Sequence, residues 1–425
     1  MKLISFQKLG ENRESPRLWL ESRRLETLGF GAGTPFSIEH RSNGIRLRPV
    51  KSSGNHVSKR ISVQRVRPII DVASRSLLSP LAGFPEIKVT ATYKRIDVVP
   101  SIRGFHIHSR LKAKPPFKAI EVFCGGGTLS AALADNDHFH LVAGVEVEPK
   151  YADVWQHSHP DATLYQTDVR RIHPTELPPH DVLIASIPCT SHSTLGRAKK
   201  SLAGKPELGD TGDLFLCVSQ LVAHHLPLAC IFENVPAFRN SLACLSLVQY
   251  LRRIGYSVTE FVVNPWKEWN EPQDRKRWIM TATLKAGFAI KSPGIPFTGT
   301  VGEFLDEPGE SEHAEVARIA GSIAALRRHG KRHKALGHGF GFTTINHNSV
   351  RVPTIVRSYH KINTGPFVDT PHGLRLLHKE EVERLMGCEV NCDHYATAIE
   401  ILGQGVQTRV FREILRQLAI FLTVG

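Results

Sequence analysis

Apolar segments alternate with helical stretches from residue 117 to the end of the chain. Segments with the length and composition of buried strands lie at 119–123, 141–145, 181–186, 229–232, 257–263 and 278–282. Amphipathic stretches at 129–134 and 151–156 separate the first of them. Alternation of this kind is typical of βαβ units with parallel strands. The pattern therefore predicts an α/β fold, a doubly wound, Rossmann-like and mostly parallel sheet.

The first hundred residues follow a period of two. Phe36 and Ile38 precede a turn at 41–44, and Ile45 and Leu47 follow it, which is the spacing of a β-hairpin. About 51 residues later the pattern returns, which indicates a repeat. The matching apolar residues there are Ile87, Val89, Ile96 and Val98. We predict a small β-rich module of residues 1–112 with two repeats, at about 15–50 and 66–100.

Other segments of this module are assigned by composition. Short helices are expected before the hairpins, at 21–28 and 74–81. The basic segments 51–67 and 101–116 are predicted to be linkers.

Charge separates the two parts of the chain. The 425 residues carry 54 Lys and Arg against 40 Asp and Glu, a net charge of +14. Residues 1–114 hold 22 of these cations and 8 of the acids, so the rest of the chain is balanced. The excess predicts that the N-terminal module contacts a polyanion, most simply nucleic acid.

Several classes of protein are disfavoured. The apolar runs are far shorter than the roughly 20 residues that span a membrane, and the N-terminus lacks a secretory signal. Seven irregularly spaced cysteines do not form a disulfide framework, so a reducing, cytoplasmic location is expected. Cys388 and Cys392 have no matching His pair, and no metal is predicted.

The turn after segment 119–123 is rich in glycine, which lets a backbone approach a ligand at the mouth of a sheet. Glu146 ends the next apolar segment, about 20 residues on, where a carboxylate accepts from ribose hydroxyls. Asp168 follows a further apolar segment, which lies between 141–145 and 181–186, and is placed to meet an adenine amino group. A nucleoside-bearing cofactor fits these positions. A tight turn with solvated carboxylates is the alternative.

A cysteine follows the strand predicted at 181–186. Pro188 and Cys189 lie at its carboxyl end, where parallel sheets place their active sites. A buried cysteine is more often inert. Glu233 at the end of another strand, and Arg275 and Arg277 before 278–282, favour a catalytic thiol instead.

Together these motifs resemble the DNA cytosine-5 methyltransferase family, in content and order, from Phe117 to the C-terminus. The resemblance identifies a cofactor loop, a Pro-Cys nucleophile, a Glu-Asn-Val motif, a Gln-x-Arg-x-Arg motif, a supporting helix at 376–387 and a last motif at 403–406. It implies S-adenosyl-L-methionine as co-substrate. The implied cofactor-binding residues are Phe123, Gly125, Gly127, Thr128, Glu146, Asp168, Pro188 and Gln404. The implied catalytic residues are Cys189, Glu233, Arg275 and Arg277.

The chemistry that the resemblance implies is covalent catalysis. Cys189 attacks C6 of a flipped-out cytosine, which turns C5 into a nucleophile for the methyl group. Arg277, with Arg275, supplies positive charge to the thiolate, and Glu233 holds or shares a proton at N3. The loop 190–212 is expected to close over DNA, and 299–350 to recognise the target.

Three positions depart from the family pattern. Thr128 replaces the third glycine of the cofactor loop, and Gln404 replaces an asparagine of the last motif. After the nucleophile, His192 lies in a Thr-Ser-His-Ser sequence where the family has Gln-x-Phe-Ser. A different transferred group is an alternative because of Gln404.

The N-terminal repeats loosely resemble AbrB-like swapped-hairpin domains, on Arg17–Leu20, Gly29, Gly33 and Leu47–Pro49. Two such units usually interlock as a DNA-binding dimer, and the two copies here are placed to pair within one chain. Another small β module is the alternative. The predicted domains are then 1–112 as this DNA-binding module, 113–298 as the catalytic domain, 299–350 for target recognition and 351–425 completing the catalytic domain.

The predicted function is methyl transfer to C5 of cytosine in double-stranded DNA. A cognate restriction endonuclease is a candidate partner, and the chain is expected to be a monomer or a dimer through its N-terminal module. Two alternatives are an RNA or tRNA cytosine-5 methyltransferase and a DNA-binding regulator or modifier with altered catalysis.

Overall fold

Two units make up the chain, residues 1–113 and 114–425. The computed structural model describes residues 1–62, 65–134, 136–188, 210–309, 312–337, 342–362 and 365–424. In the described ranges, no helix combines the length and apolar composition needed to cross a membrane.

The first unit consists of two antiparallel sheets. Its strands are β1 (Leu3–Gln7), β2 (Gly10–Asn12), β3 (Ser15–Glu21), β4 (Phe36–Arg41), β5 (Gly44–Pro49), β6 (Ser58–Ser62), β7 (Arg65–Ala73), β8 (Ile87–Thr92) and β9 (Arg95–Pro100). Its helices are α1 (Arg24–Thr27) and α2 (Ile102–Arg110). The sheets have the orders β1-β8-β9-β5-β4 and β2-β3-β7-β6.

Corresponding strands of the two predicted repeats pair with each other. β4 and β5 form one predicted hairpin and β8 and β9 the other, so both hairpins are confirmed. Across the repeats, Ile45 lies opposite Val98 and Leu47 opposite Ile96. Residue 45 of the first repeat corresponds to residue 96 of the second, and residue 47 corresponds to residue 98. The two repeats therefore pair in a symmetric register. β3 likewise pairs with β7, and the strands enclose one core.

The described parts of both segments predicted to be linkers contain strands or a helix instead. β6 and the start of β7 form a hairpin within 51–67, and α2 occupies most of 101–116. Basic side chains such as Lys59, Arg60 and Lys112 are exposed, while Val57, Gly104 and Ile107 are buried. The second repeat has only a short 3-10 turn at Ser79–Leu81 where a helix was predicted, with Pro80 in its first turn.

The second unit contains the predicted α/β fold. Its strands are β10 (Phe117–Val122), β11 (Phe139–Glu146), β12 (Thr163–Gln166), β13 (Val182–Ser186), β14 (Ala229–Asn234), β15 (Ser257–Val263), β16 (Gln273–Asp274), β17 (Arg277–Thr283), β18 (Thr344–Ile345), β19 (Val352–Pro353), β20 (Phe367–Thr370) and β21 (Gly373–Arg375). Its helices are α3 (Ser130–Ala134), α4 (Pro149–Ser158), α5 (Leu214–His225), α6 (Leu242–Arg253), α7 (Pro265–Glu268), α8 (Glu312–Ala335), α9 (Lys379–Met386), α10 (Tyr395–Gln404) and α11 (Thr408–Thr423).

A seven-stranded sheet in the order β12-β11-β10-β13-β14-β17-β15 forms the centre of this unit. β17 runs antiparallel to both of its neighbours, and the other pairings are parallel. The prediction of a mostly parallel, Rossmann-like sheet is therefore confirmed. Its carboxyl ends bring residues that are distant in sequence to one edge.

A second core joins the predicted recognition region to the C-terminal part. Val301, Ile319 and Ile345 share it with Phe367 and Leu385. The buried Arg375 guanidinium bonds at 2.8 Å to Glu312 at the start of α8 and to Glu381 in α9. The described residues of 299–350 therefore pack against α9.

Candidate active site

The loop after β10 has an unusual backbone. Phe123, Gly125 and Gly127 all have positive φ, at 62°, 54° and 92°. Such angles are uncommon for a residue with a side chain, so Phe123 is held there by its surroundings. A Cβ on Gly127 would lie 3.2 Å from Cδ1 of Trp155, which is a tight contact, and the positive φ itself disfavours a side chain there. The loop therefore exposes backbone at the sheet edge.

Glu146 at the end of β11 fastens this loop. Its Oε2 accepts from the Gly125 N–H at 2.8 Å, and its Oε1 accepts from the N–H groups of Val147 at 3.0 Å and Glu148 at 2.8 Å. A carboxylate has about four acceptor positions. At least one position is therefore left for a hydroxyl donor after these three bonds.

Asp168, just after β12, is paired with a residue that the sequence did not single out. Its Oδ1 accepts from the Arg170 N–H and its Oδ2 from Arg170 Nη1, both at 2.9 Å. Arg170 Nε also donates to Asp213 Oδ2 at 2.9 Å, directly before α5. Arg170 thus orients Asp168. The signal for this role in the sequence is that Arg170 lies two residues after Asp168.

The end of β13 is held by the neighbouring strand. Asn234 Nδ2 donates to the Ile187 carbonyl at 2.9 Å, and Asn234 Oδ1 accepts from the Val235 N–H at 2.8 Å. Asn234 therefore sets the path of the chain into Pro188. Cys189 and residues 190–209 of the predicted loop lie outside the described residues.

Glu233 and Arg277 form a buried ion pair at this edge. Arg277 Nε lies 2.8 Å from Glu233 Oε1, and both side chains are largely buried. Burial raises the pKa of Glu233, while the charges of Arg277 and Arg275 act against that shift. Burial thus favours the protonated form of this carboxyl group, and the neighbouring guanidinium groups favour the ionised form.

Arg275 has a different geometry from Arg277. Its guanidinium is fully buried and donates to the carbonyls of Ile355 at 2.8 Å, Gly403 at 2.9 Å and Gly405 at 2.6 Å. The sequence predicted a charge beside the thiol. The described contacts make Arg275 a positioning residue for the last motif, whose charge also reaches Glu233.

Thr128 and Gly405 lock the first and last motifs together. Thr128 Oγ1 accepts from the Val406 N–H at 3.3 Å, and Thr408 Oγ1 donates to the Thr128 carbonyl at 3.1 Å. Gln404 Nε2 lies 3.5 Å from where a Gly125 Cβ would be. Thr128, which differs from the family pattern, thus joins the last motif to the cofactor loop. This contact places Gln404 next to Gly125 of that loop.

Gly405→Ala is expected to destabilise the second unit by about 1–3 kcal/mol, through overpacking alone. Gly405 has an ordinary φ of −71°, but a Cβ there would lie 2.5 Å from Thr128 Cγ2. Adding Thr128→Gly should recover roughly 1 kcal/mol or more of that loss in thermal unfolding.

Gly403→Ala is the matched control for this pair. Its Cβ would lie 2.6 Å from the backbone of Val356, so Thr128→Gly cannot relieve it. Equal recovery of both alanine variants by Thr128→Gly would contradict the proposed lock.

One cluster in the described part of the chain has the spacing of a metal site. Ligand atoms of Asp306, His378 and Glu381 lie within 4.8 Å of one another. Glu381 is engaged by Arg375, and Asp306 by Arg384 and His378. The acids are therefore already neutralised by the chain's own cations, and we read the cluster as an ion-pair network.

Known proteins resemble the second unit in sequence. The family model described as C-5 cytosine-specific DNA methylase matches residues 117–419. The chain is 25% identical over 321 residues to the Type II methyltransferase M.NlaX of Neisseria lactamica, covering 72% of this chain and 97% of that protein. It is 27% identical over 229 residues to the Type II methyltransferase M.DsaV of Dactylococcopsis salina, covering 52% of this chain but 62% of that protein.

Solved structures give the same fold. The S. pombe Dnmt2 methyltransferase superposes with a TM-score of 0.57 at 18% identity, over 72% of this chain and 98% of that one. The Entamoeba histolytica methyltransferase EhMeth also has a TM-score of 0.57, at 15% identity, over 72% and 98%.

Proposed function

Because this chain belongs to the C-5 cytosine-specific DNA methylase family, we propose that it transfers a methyl group from S-adenosyl-L-methionine to C5 of cytosine in duplex DNA. The observation that carries the proposal is the buried Glu233–Arg277 pair next to the end of β13. That pair lies one strand from Pro188, after which the nucleophile Cys189 follows.

The residues present fit the co-substrate. The side-chain-free loop at Gly125 and Gly127 offers a close approach, and Glu146 retains an acceptor for a ribose hydroxyl. Asp168 would bind the adenine amino group, with Phe123, Thr128, Pro188 and Gln404 completing the pocket. When bound, S-adenosyl-L-methionine supplies an electrophilic methyl group.

The protein's own groups then act on the cytosine ring. The Cys189 thiolate forms a bond to C6, and the C5–C6 electron pair shifts into the ring while N3 takes a proton from Glu233. C5 gains the methyl group and loses its proton to water or a base of the loop. The Sγ–C6 bond then breaks and N3 returns its proton to Glu233. The cytosine must be flipped out of the duplex for these atoms to meet.

Labelled S-adenosyl-L-methionine incubated with duplex DNA, tRNA or no acceptor tests this function. We expect label in the duplex, recovered after digestion as 5-methylcytosine. Label in tRNA alone would favour the RNA alternative. Label in neither acceptor would favour a regulator with altered catalysis.

Target recognition is proposed for residues 299–350. α8 ends in exposed cations that are placed to contact phosphates: Arg327, Arg328, Lys331 and Arg332. A cognate restriction endonuclease and a cytoplasmic location are also proposed for this chain.

The first unit is proposed to bind DNA. Residues 51–70 contain no acid, and Lys59, Arg60 and Arg67 lie on the β6–β7 hairpin. Ile61 and Val66 face each other on it and are 66% and 48% exposed. Arg60 and Arg67 also lie 3.6 and 3.5 Å from Glu21, and the hairpin keeps an excess of cations beside its exposed apolar residues. Such a surface suits a nucleic acid better than a second copy with the same charge.

Replacing Lys59, Arg60 and Arg67 by alanine is therefore expected to weaken duplex binding. Each lost phosphate contact should lower the slope of log affinity against log salt by about 0.9, measured by fluorescence anisotropy. The matched control replaces exposed Lys2, Lys8 and Arg23 by alanine. An equal change in both variants would show only a general charge effect and contradict this assignment.

A further inference from the structure

A buried acid that the proposed chemistry does not use lies under the cofactor loop. Glu121 in β10 is 1% exposed and accepts a hydrogen bond at Oε2 from the Ser130 hydroxyl. Ser130 in α3 is itself buried and accepts from Trp155 Nε1 of α4 at 2.8 Å. Three elements are thus joined by one chain of side chains, from Trp155 through Ser130 to Glu121.

The indole N–H of Trp155 can only donate, so it occupies one of the two acceptor positions of the Ser130 hydroxyl. Ser130 in turn donates its hydroxyl proton to Glu121 Oε2.

Trp155 forms the floor of the loop. A Cβ on Gly127 would lie 3.2 Å from Trp155 Cδ1, and one on Gly144 of β11 would lie 2.5 Å from Cζ2. The ring therefore contacts both the glycine loop and the strand that carries Glu146. A shift of Trp155 would move both.

The charged form of Glu121 is disfavoured here. Burial raises its pKa to about 8, and the nearby Glu146 acts in the same direction. Two other titratable groups lie next to the Trp155–Ser130–Glu121 side chains, namely Cys124 and His159. Burial raises the pKa of Cys124 and lowers the pKa of His159.

We propose that the Trp155–Ser130–Glu121 chain is a positioning device for the S-adenosyl-L-methionine loop, and that Glu121 serves it as a neutral acid. Ionised Glu121 would place a second negative charge close to Glu146. Repulsion would displace Glu146 from the Gly125 N–H, which it holds at 2.8 Å. The inference rests on the proposed function only for the identity of the ligand.

The test is the affinity of the full chain for S-adenosyl-L-methionine, measured by calorimetry between pH 6.5 and 9.5. If only the neutral form holds the loop, a pKa of about 8 predicts a Kd about tenfold higher at pH 9 than at pH 7. Glu121→Gln, an isostere of the neutral acid, should bind within about twofold of the wild type at pH 7 and show no such rise. Cys244→Ala, which removes a buried free thiol from α6, should keep the wild-type rise.

Thermal unfolding provides a readout without ligand. A carboxyl whose pKa is raised on folding stabilises the protein most below its unfolded value, and this contribution is lost as pH rises toward 8. The wild type should therefore lose melting temperature relative to Glu121→Gln between about pH 4.5 and 8.

The outcomes separate the two ideas. A Glu121→Gln variant with the wild-type pH profile in both measurements would overturn the neutral-acid role alone. A wild type that binds no S-adenosyl-L-methionine at any pH would overturn the proposed function and this inference together.

Discussion

Cys189→Ala is expected to lower methyl transfer to duplex DNA by about 10⁴-fold or more, because no other group would form the bond to C6. Binding of S-adenosyl-L-methionine should change little, since the Glu146 and Gly125 contacts do not involve this thiol. Incorporation of labelled methyl groups measures the transfer, and calorimetry measures the binding of S-adenosyl-L-methionine.

Trapping makes this test specific for the covalent step. DNA containing 5-fluorocytosine should form a stable adduct with the wild type and none with Cys189→Ala, because fluorine at C5 blocks the elimination that releases the enzyme. Cys392→Ala removes another partly buried, free thiol and should react as the wild type does. An adduct or normal turnover with Cys189→Ala would refute the assignment of the nucleophile.

Arg275→Met should destabilise the second unit by about 3–5 kcal/mol, the largest stability effect expected here. The substitution keeps much of the side-chain volume but leaves the buried carbonyls of Ile355, Gly403 and Gly405 without their donor. Denaturant unfolding followed by tryptophan fluorescence reports mainly on this unit, which holds four of the five tryptophans.

Arg277→Met is the matched comparison. Arg277 pairs with Glu233 at the sheet edge and is less deeply buried than Arg275, so its loss should cost activity more than stability. Arg275→Met should lower both the stability of the second unit and the affinity for S-adenosyl-L-methionine, because Arg275 would no longer hold the last motif against the cofactor loop. Equal stability of the two variants would contradict a positioning role for Arg275.

Much of the fold followed from local patterns. A period of two predicted both N-terminal hairpins. Short apolar segments predicted strands of the central sheet. Both signals depend only on which faces of a strand are buried. Segments 51–67 and 101–116 were misassigned as linkers. Basic residues that suggested a linker, such as Lys59 and Arg60, are exposed. Composition alone does not reveal the few buried residues, such as Val57 and Ile107.

The candidate site was predicted unevenly. Motif order selected Glu146, Glu233 and Arg277, and the structure places all three at the ends of strands of the central sheet. It did not separate Arg275 from Arg277, which lie two residues apart yet contact different partners. It also assigned no role to Asn234 or Arg170, because side-chain-to-backbone contacts and ion pairs leave little trace in one sequence.

The sequence by itself determined the order of strands and helices, the family and the residue types that the chemistry needs. These depend on spacing along the chain. Only the tertiary structure decided that Thr128 packs on Gly405, that Arg275 holds the last motif, and that Glu121 is sealed from water beneath the loop. Each of these depends on which distant segments meet, and burial at such a meeting point sets the protonation and the role of a side chain.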